Sequence, residues 1–323
     1  YHGEGYGWRF RFSSPLLSFI GAQQSIGNEE TDSSRGDVLP KLDIRPLSDG
    51  TWSMTMKIIS KIPKRDQCVV GTLLEKWSKE RPDDVFLLFE DDSSWTFAET
   101  LDHTRRAAAG LHDLGVDYGS HVLCWLPNSK ETILTWFGAN YLGATFIPIN
   151  TAYRGHLLEH VIALSDANVL VTHADLLPRL NDIDTAGVSD IVVVGGDPLP
   201  IASINYLSSD ALSPEKRIYA TRTVQPWDTN YIIFTSGTTG PSKAVQCTYI
   251  QAWSGAAEAM FYFKQEDRLL ANLPLFHVSG TGAIMDRLIK GGSAALVDGF
   301  HPSEFWKTVR RFKITGTCLV GAM

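Results

Sequence analysis

Chemistry is concentrated in one stretch, Thr235-Ser236-Gly237-Thr238-Thr239-Gly240-Pro241-Ser242-Lys243. The hydroxyls of Thr235, Ser236, Thr238 and Thr239 can donate to phosphate oxygens. Gly237 and Gly240 let the backbone approach a ligand closely, and N–H groups in such a turn form an anion-binding nest. Lys243 adds a compact positive charge suited to a phosphate. An ordinary nucleotide P-loop follows the pattern G-x-x-x-x-G-K-Ser/Thr. Counted from Gly237, the second glycine position is Ser242, and Ala244 follows the lysine. The metal-binding hydroxyl is missing, so a hydrolase of that kind is disfavoured.

Other groupings are weaker. His156-Leu157-Leu158-Glu159-His160 matches the inverted zincin pattern. A zinc peptidase also needs a third ligand, and no Glu-rich partner helix follows. Asp91-Asp92 and Glu29-Glu30 read as solvated charge. Trp253, Phe261, Tyr262 and Phe263 read as core, with an acyl-pocket wall as the alternative. Cys68, Cys124, Cys247 and Cys318 form no CxxC pair, which leaves zinc knuckles and thioredoxin-like chemistry unsupported. Unpaired thiols fit a reducing, cytoplasmic compartment.

These residues need a scaffold, and the chain can supply one. It has 323 residues, 44% hydrophobic and 20% charged, the balance of a globular protein with a real core. Net charge is −7 with no basic block, which excludes nucleic acid as an expected partner. No apolar run approaches the length of a membrane span. Residues 1–55 carry Gly, Ser and Asp, and are expected to be disordered or an upstream extension. Thr72 with Glu75, and Thr96 with Glu99, read as capping boxes that open helices. Strands are expected at 85–89, 122–126, 145–149, 169–172 and 191–194, with helices at 131–142 and 156–164 between them. That alternation implies parallel βαβ units. Residues 197–224 read as irregular. A second α/β run follows, with strands at 231–234, 268–272, 294–297 and 315–320, and helices at 252–263, 283–289 and 302–312. The strand at 231–234 delivers the glycine-rich loop.

The Thr-Ser-Gly-Thr-Thr-Gly-x-x-Lys loop resembles the signature of the adenylate-forming (AMP-binding) superfamily, in its acyl-CoA synthetase and fatty-acid-CoA ligase branch. Leu126-Pro127-Asn128-Ser129, the run Gly143-Ala144-Thr145-Phe146-Ile147-Pro148-Ile149-Asn150, and Leu273-Pro274-Leu275-Phe276-His277 are similar to further family segments. Phe276-His277-Val278-Ser279-Gly280 leans toward the carnitine/crotonobetaine-CoA ligase-like or medium-chain branch. One departure is Ala244, where the family usually has Gly.

The resemblance implies a layered α/β large N-terminal domain over residues 56–323, incomplete at its C-terminus and without the small C-terminal domain. It implies ATP, Mg²⁺ and coenzyme A, and a small-molecule carboxylic acid that is first adenylated and then made a thioester. Thr235, Ser236, Gly237, Thr238, Thr239, Gly240 and Lys243 would hold the β- and γ-phosphates. Lys243 would neutralise phosphate charge, and His277 would lie near the carboxylate and adenylate. The family's Mg²⁺-binding Glu, ribose-binding Thr-Gly-Asp and C-terminal catalytic lysine do not occur before Met323, so the chain is expected to be an N-terminal fragment lacking full activity. A non-catalytic nucleotide-binding module is the main alternative.

Overall fold

The computed structural model describes the backbone of residues 7–12, 41–46, 52–57, 62–185, 187–196, 204–220, 222–235 and 242–321, with side chains from residue 62 onward. The chain divides into two compact units, Tyr1–Ile62 and Pro63–Met323.

The first unit has strands β1 (Gly7–Phe12), β2 (Lys41–Pro46) and β3 (Trp52–Lys57), antiparallel in the order β1-β3-β2. The sequence reading expects disorder or an upstream extension over residues 1–55, the stretch in which these strands largely fall. Their signal is a period-two alternation of apolar residues: Trp8, Phe10, Phe12; Leu42, Ile44; Trp52, Met54, Met56. The register lines these up, with Met54 opposite Phe10 and Ile44, and Met56 opposite Trp8 and Leu42. The surrounding Gly, Ser and Asp content masks that alternation.

The second unit opens with α1 (Arg65–Cys68) and α2 (Val70–Glu80). The expected Thr72–Glu75 capping box does not form. Val69 is the N-cap of α2, because burying Val69 and Val70 starts the helix earlier, and Glu75 turns instead to the Tyr141 hydroxyl at 3.0 Å. After β4 (Val85–Phe89) and β5 (Ser94–Thr96), the second box does close on α3 (Phe97–Asp113). Glu99 N–H donates to Thr96 Oγ1 at 3.2 Å, and Thr96 N–H donates to Glu99 Oε2 at 2.8 Å. Then come β6 (His121–Trp125), α4 (Lys130–Leu142), β7 (Thr145–Pro148), α5 (Gly155–Ser165), β8 (Val169–His173) and β9 (Asp190–Val194).

The stretch read as irregular contains β10 (Asn205–Ser208) and a 3₁₀ turn over Ser209–Leu212. Next are β11 (Thr229–Thr235), β12 (Lys243–Thr248) and α6 (Tyr249–Ser254), the last running into a π-helical turn at Gly255–Ala259. The expected single helix over 252–263 is therefore shorter and distorted. The described chain ends with β13 (Arg268–Ala271), α7 (Val278–Lys290), β14 (Ser293–Leu296), α8 (Phe305–Arg311) and β15 (Gly316–Thr317).

Two sheets result. One has the order β10-β9-β8-β6-β7-β11-β12, parallel except for the edge strand β12. The other has the order β15-β13-β14-β4-β5, parallel except for β5. Side-chain alternation along each strand sets the layers. In β6, Val122 and Cys124 enter one core while Leu123 and Trp125 enter another. The first core also takes Leu87 and Leu296 from the second sheet and Leu74, Leu111, Phe137 and Ile284 from α2, α3, α4 and α7. These four helices thus lie between the sheets. α5 covers the outer face of the first sheet, and Phe312 with Phe305 of α8 covers the outer face of the second. Among the described residues no helix is long and apolar enough to cross a membrane.

Close approach is critical where α3 meets the 3₁₀ turn. A Cβ on Gly110 would lie 1.7 Å from the carbonyl oxygen of Ala211. Gly110→Ala should therefore force the two apart and destabilise the unit by about 2 kcal/mol. The check is a lower denaturation midpoint with an unchanged denaturant slope.

Candidate functional site

β11 lies inside the seven-stranded sheet, parallel to β7 on one side and antiparallel to β12 on the other. Its interior residues Tyr231–Phe234 are buried, and the chain surfaces at Thr235. The ladder pairs Thr235 directly with Lys243. β11 and β12 thus form a hairpin, and its ends bring one hydroxyl and the lysine together. Directly opposed residues present their side chains on the same face. The strand character of residues 243–248 is missing from the sequence reading, because Lys-Ala-Val-Gln-Cys-Thr has little β-branched content. Ser236, Gly237, Thr238, Thr239 and Gly240 lie outside the described residues.

The closing end of the hairpin has a partner that sequence reading does not supply. Ser242 is buried, and its carbonyl accepts a hydrogen bond from His160 Nε2 at 3.0 Å. A carbonyl can only accept, so Nε2 carries the proton. His160 is one of the two histidines of the zincin-like pattern. It sits on α5 and braces the loop exit, while His156 is exposed. The spacing shows that both are on one helix face, but the contact spans 82 residues and has no local signature.

His277 is reached from the second sheet. It follows β13 and stands at the N-cap of α7 in extended conformation. Its N–H donates to Pro274 O at 3.0 Å, and its carbonyl accepts from Gly280 and Thr281 N–H at 3.0 and 3.1 Å. The ring is exposed and tilts against Phe276 with centroids 4.8 Å apart. Its backbone is fixed and its imidazole open to a ligand.

The His277 segment is tied to the first sheet through Asn128, at the turn after β6. Its Nδ2 donates to Leu273 O and Val297 O, both at 3.0 Å, and its Oδ1 accepts from Leu275 N–H at 2.9 Å. Leu273 and Leu275 begin the run that ends in His277, and Val297 follows β14. Carboxyl ends of strands from both sheets therefore converge, the place where open α/β sheets bind ligands.

Burial pushes the thiols of both Cys68 and Cys124 up to about 12, so they stay protonated at neutral pH. Among the described residues no group of three or more His, Cys, Asp or Glu could hold a metal ion.

The model of the AMP-binding enzyme family matches residues 74–323. The medium/long-chain-fatty-acid–CoA ligase FadD6 of Mycobacterium tuberculosis is 30% identical over 257 residues, 78% of this chain and 42% of that protein. 4-Coumarate–CoA ligase 3 of Arabidopsis thaliana is 25% identical over 305 residues, 91% of this chain and 52% of that protein. The chain spans about half the length of the curated relatives it matches. Among solved structures, the anthranilate CoA ligase AuaEII in complex with anthranoyl-AMP has a TM-score of 0.69 at 26% identity, covering 77% of this chain and 49% of that one. A long-chain-fatty-acid-CoA ligase from Archaeoglobus fulgidus shares the fold, with a TM-score of 0.66 at 23% identity over 78% of this chain and 51% of that one.

Two measurements test this geometry. His160→Leu removes the donor and leaves the buried Ser242 carbonyl unpaired, which should cost about 1–3 kcal/mol in thermal or denaturant unfolding. His160→Gln, which retains an N–H donor, should recover part of the loss, and neither change should alter metal content measured by atomic emission. Iodoacetamide at pH 8 should leave Cys68 and Cys124 unmodified in the native protein and label them only after denaturation, as read by mass spectrometry.

Proposed function

The chain belongs to the AMP-binding enzyme family, and on that premise we propose that the protein it forms part of activates a carboxylic acid with ATP and passes the acyl group to the thiol of coenzyme A. The observation that carries this reading is the direct pairing of Thr235 with Lys243, which closes a glycine- and hydroxyl-rich loop at the carboxyl edge of the sheet. The convergence of the His277 segment on the same edge through Asn128 adds to it.

A carboxylate oxygen attacks the α-phosphorus of ATP, the bond to the β-phosphate breaks, and pyrophosphate leaves with the acyl-adenylate remaining. The thiol sulfur then attacks the acyl carbon and AMP departs. An anion attacking a polyanion is the obstacle in the first step, so positioning and charge neutralisation supply most of the catalysis. Lys243 places its positive charge against the phosphates. Thr235 and the loop hydroxyls after it orient the leaving pyrophosphate. Mg²⁺, when bound, supplies further neutralisation. His277 offers a flat, polar ring to the carboxylate and adenylate. It stands at the N-terminus of α7, whose first turn carries no acidic residue to oppose an incoming carboxylate. The relatives above act on both fatty and aryl acids, and the acid is proposed no more narrowly than that.

The test is ATP–pyrophosphate exchange by the full-length protein with a panel of fatty and aryl acids. Exchange with at least one acid is expected, and Lys243→Ala should lower its rate about 100-fold. ATP binding without exchange for any acid would overturn the reading in favour of a non-catalytic nucleotide-binding module.

A further inference from the structure

We propose that Asn128 is a positioning residue, which locks the segment bearing His277 to the sheet bearing the phosphate loop so that acid and nucleotide meet in one register. The inference rests on the function proposed above.

The side chain spends both of its donors and one acceptor on distant backbone groups. Both amide hydrogens are used, one on Leu273 O and one on Val297 O, and Oδ1 accepts from Leu275 N–H. Because Leu275 N–H can only donate, the oxygen must face it and the amide cannot be flipped. The three bonds span 145 to 169 residues and join the end of β6 to the ends of β13 and β14. The stem is held as firmly as the head. Thr132 Oγ1 donates to Pro127 O at 2.7 Å, and Ser129 caps α4 by accepting from Thr132 N–H.

The same segment is restrained from its opposite side. A Cβ on Gly280 would lie 2.2 Å from Pro274 O and 2.6 Å from Leu273 O. The first turn of α7 therefore rests directly on the carbonyls of Pro274 and Leu273, the second of which Asn128 also holds from the other sheet. The peptide units preceding His277 are clamped between the two, and the hydrogen bond from His277 N–H to Pro274 O passes that placement to the imidazole. The phosphate loop has its own supports, the β11–β12 ladder and His160. Releasing Asn128 should thus shift the acid side relative to the nucleotide side without loosening the nucleotide side itself.

Asn128→Asp separates this role from simple packing. It keeps the size of the side chain and the acceptor for Leu275 N–H, but turns oxygen toward the carbonyls of Leu273 and Val297. A displacement of about 1 Å near reacting groups costs on the order of 100-fold. In the full-length protein, kcat for pyrophosphate exchange should fall by about that factor in Asn128→Asp, with the KM for ATP within about twofold of wild type. Gly280→Ala pushes the same segment from the other side and should reproduce the split, so it serves if Asn128→Asp does not fold. Wild-type kcat per folded molecule in either variant, or loss of kcat together with a large rise in the KM for ATP, overturns the inference. Absence of exchange in the wild-type protein itself strikes the proposed function instead, so the two failures are distinguishable.

Discussion

The second unit is organised around the burial of α4. From Thr132 to Leu142 every residue except Leu134 is buried. A helix apolar on all sides is stable only when covered on all sides, and here two sheets and the neighbouring helices cover it. Burial makes its polar atoms demanding, since each left unpaired costs about 1–3 kcal/mol. Trp136 Nε1 donates to Asn230 Oδ1 at 2.9 Å, and Asn140 Nδ2 donates to Asn230 O at 2.8 Å. Asn230 belongs to β11, the strand that leads into the glycine-rich loop. Trp136 also stacks on Phe146 and meets Tyr231 edge-on. These bonds fix the register of the strand that ends at Thr235. At its other end the helix begins at Ser129, immediately after Asn128.

Charge is distributed consistently with this arrangement. The buried ionic cluster Asp286, Arg287 and Lys290 lies at the C-terminal end of α7, remote along the helix from His277. Burial pushes the Asp286 carboxyl up, while Arg287 and Lys290 pull it down. Such a cluster adds little net stability, but Arg287 Nη1 also ties Lys264 O at 2.6 Å and Asp267 O at 2.9 Å. It holds the turn leading into β13. The first turn at the opposite end of α7 carries no acidic side chain against the positive end of the helix dipole.

What the sequence reveals follows the range of the forces involved. The Thr96–Glu99 box is legible because it closes over three residues. Thr72–Glu75 has the same spelling and fails, because the burial of Val69 and Val70 outweighs a surface cap. The βαβ alternation from residue 122 onward is legible from apolar runs that two-sided burial requires. β12 is not, since an exposed antiparallel edge strand needs no such run. Among site residues, Thr235 and Lys243 are readable from type and spacing, and His277 from its resemblance to a family segment. The partnership of His160 with Ser242 and of Asn128 with Leu273, Leu275 and Val297 depends on contacts between distant residues. Asn128 is visible only as a residue in a turn, and its role emerges when both sheets are in place.

The sheet architecture sets one lysine, Lys243, opposite Thr235 at the mouth of a loop rich in glycines and hydroxyls. A cluster of cations at a strand end would repel itself whenever the site is empty, at a cost to folding. A neutral loop of glycines and hydroxyls avoids that cost and still presents many donors, because backbone N–H groups carry partial charge without carrying net charge. Lys243 is exposed at the first position of an edge strand. Its pairing with Thr235 confines its root to one position, while the long side chain extends from an exposed edge. Precision is thus placed in the backbone, which the buried β11 and α4 control, and adaptability in a single side chain.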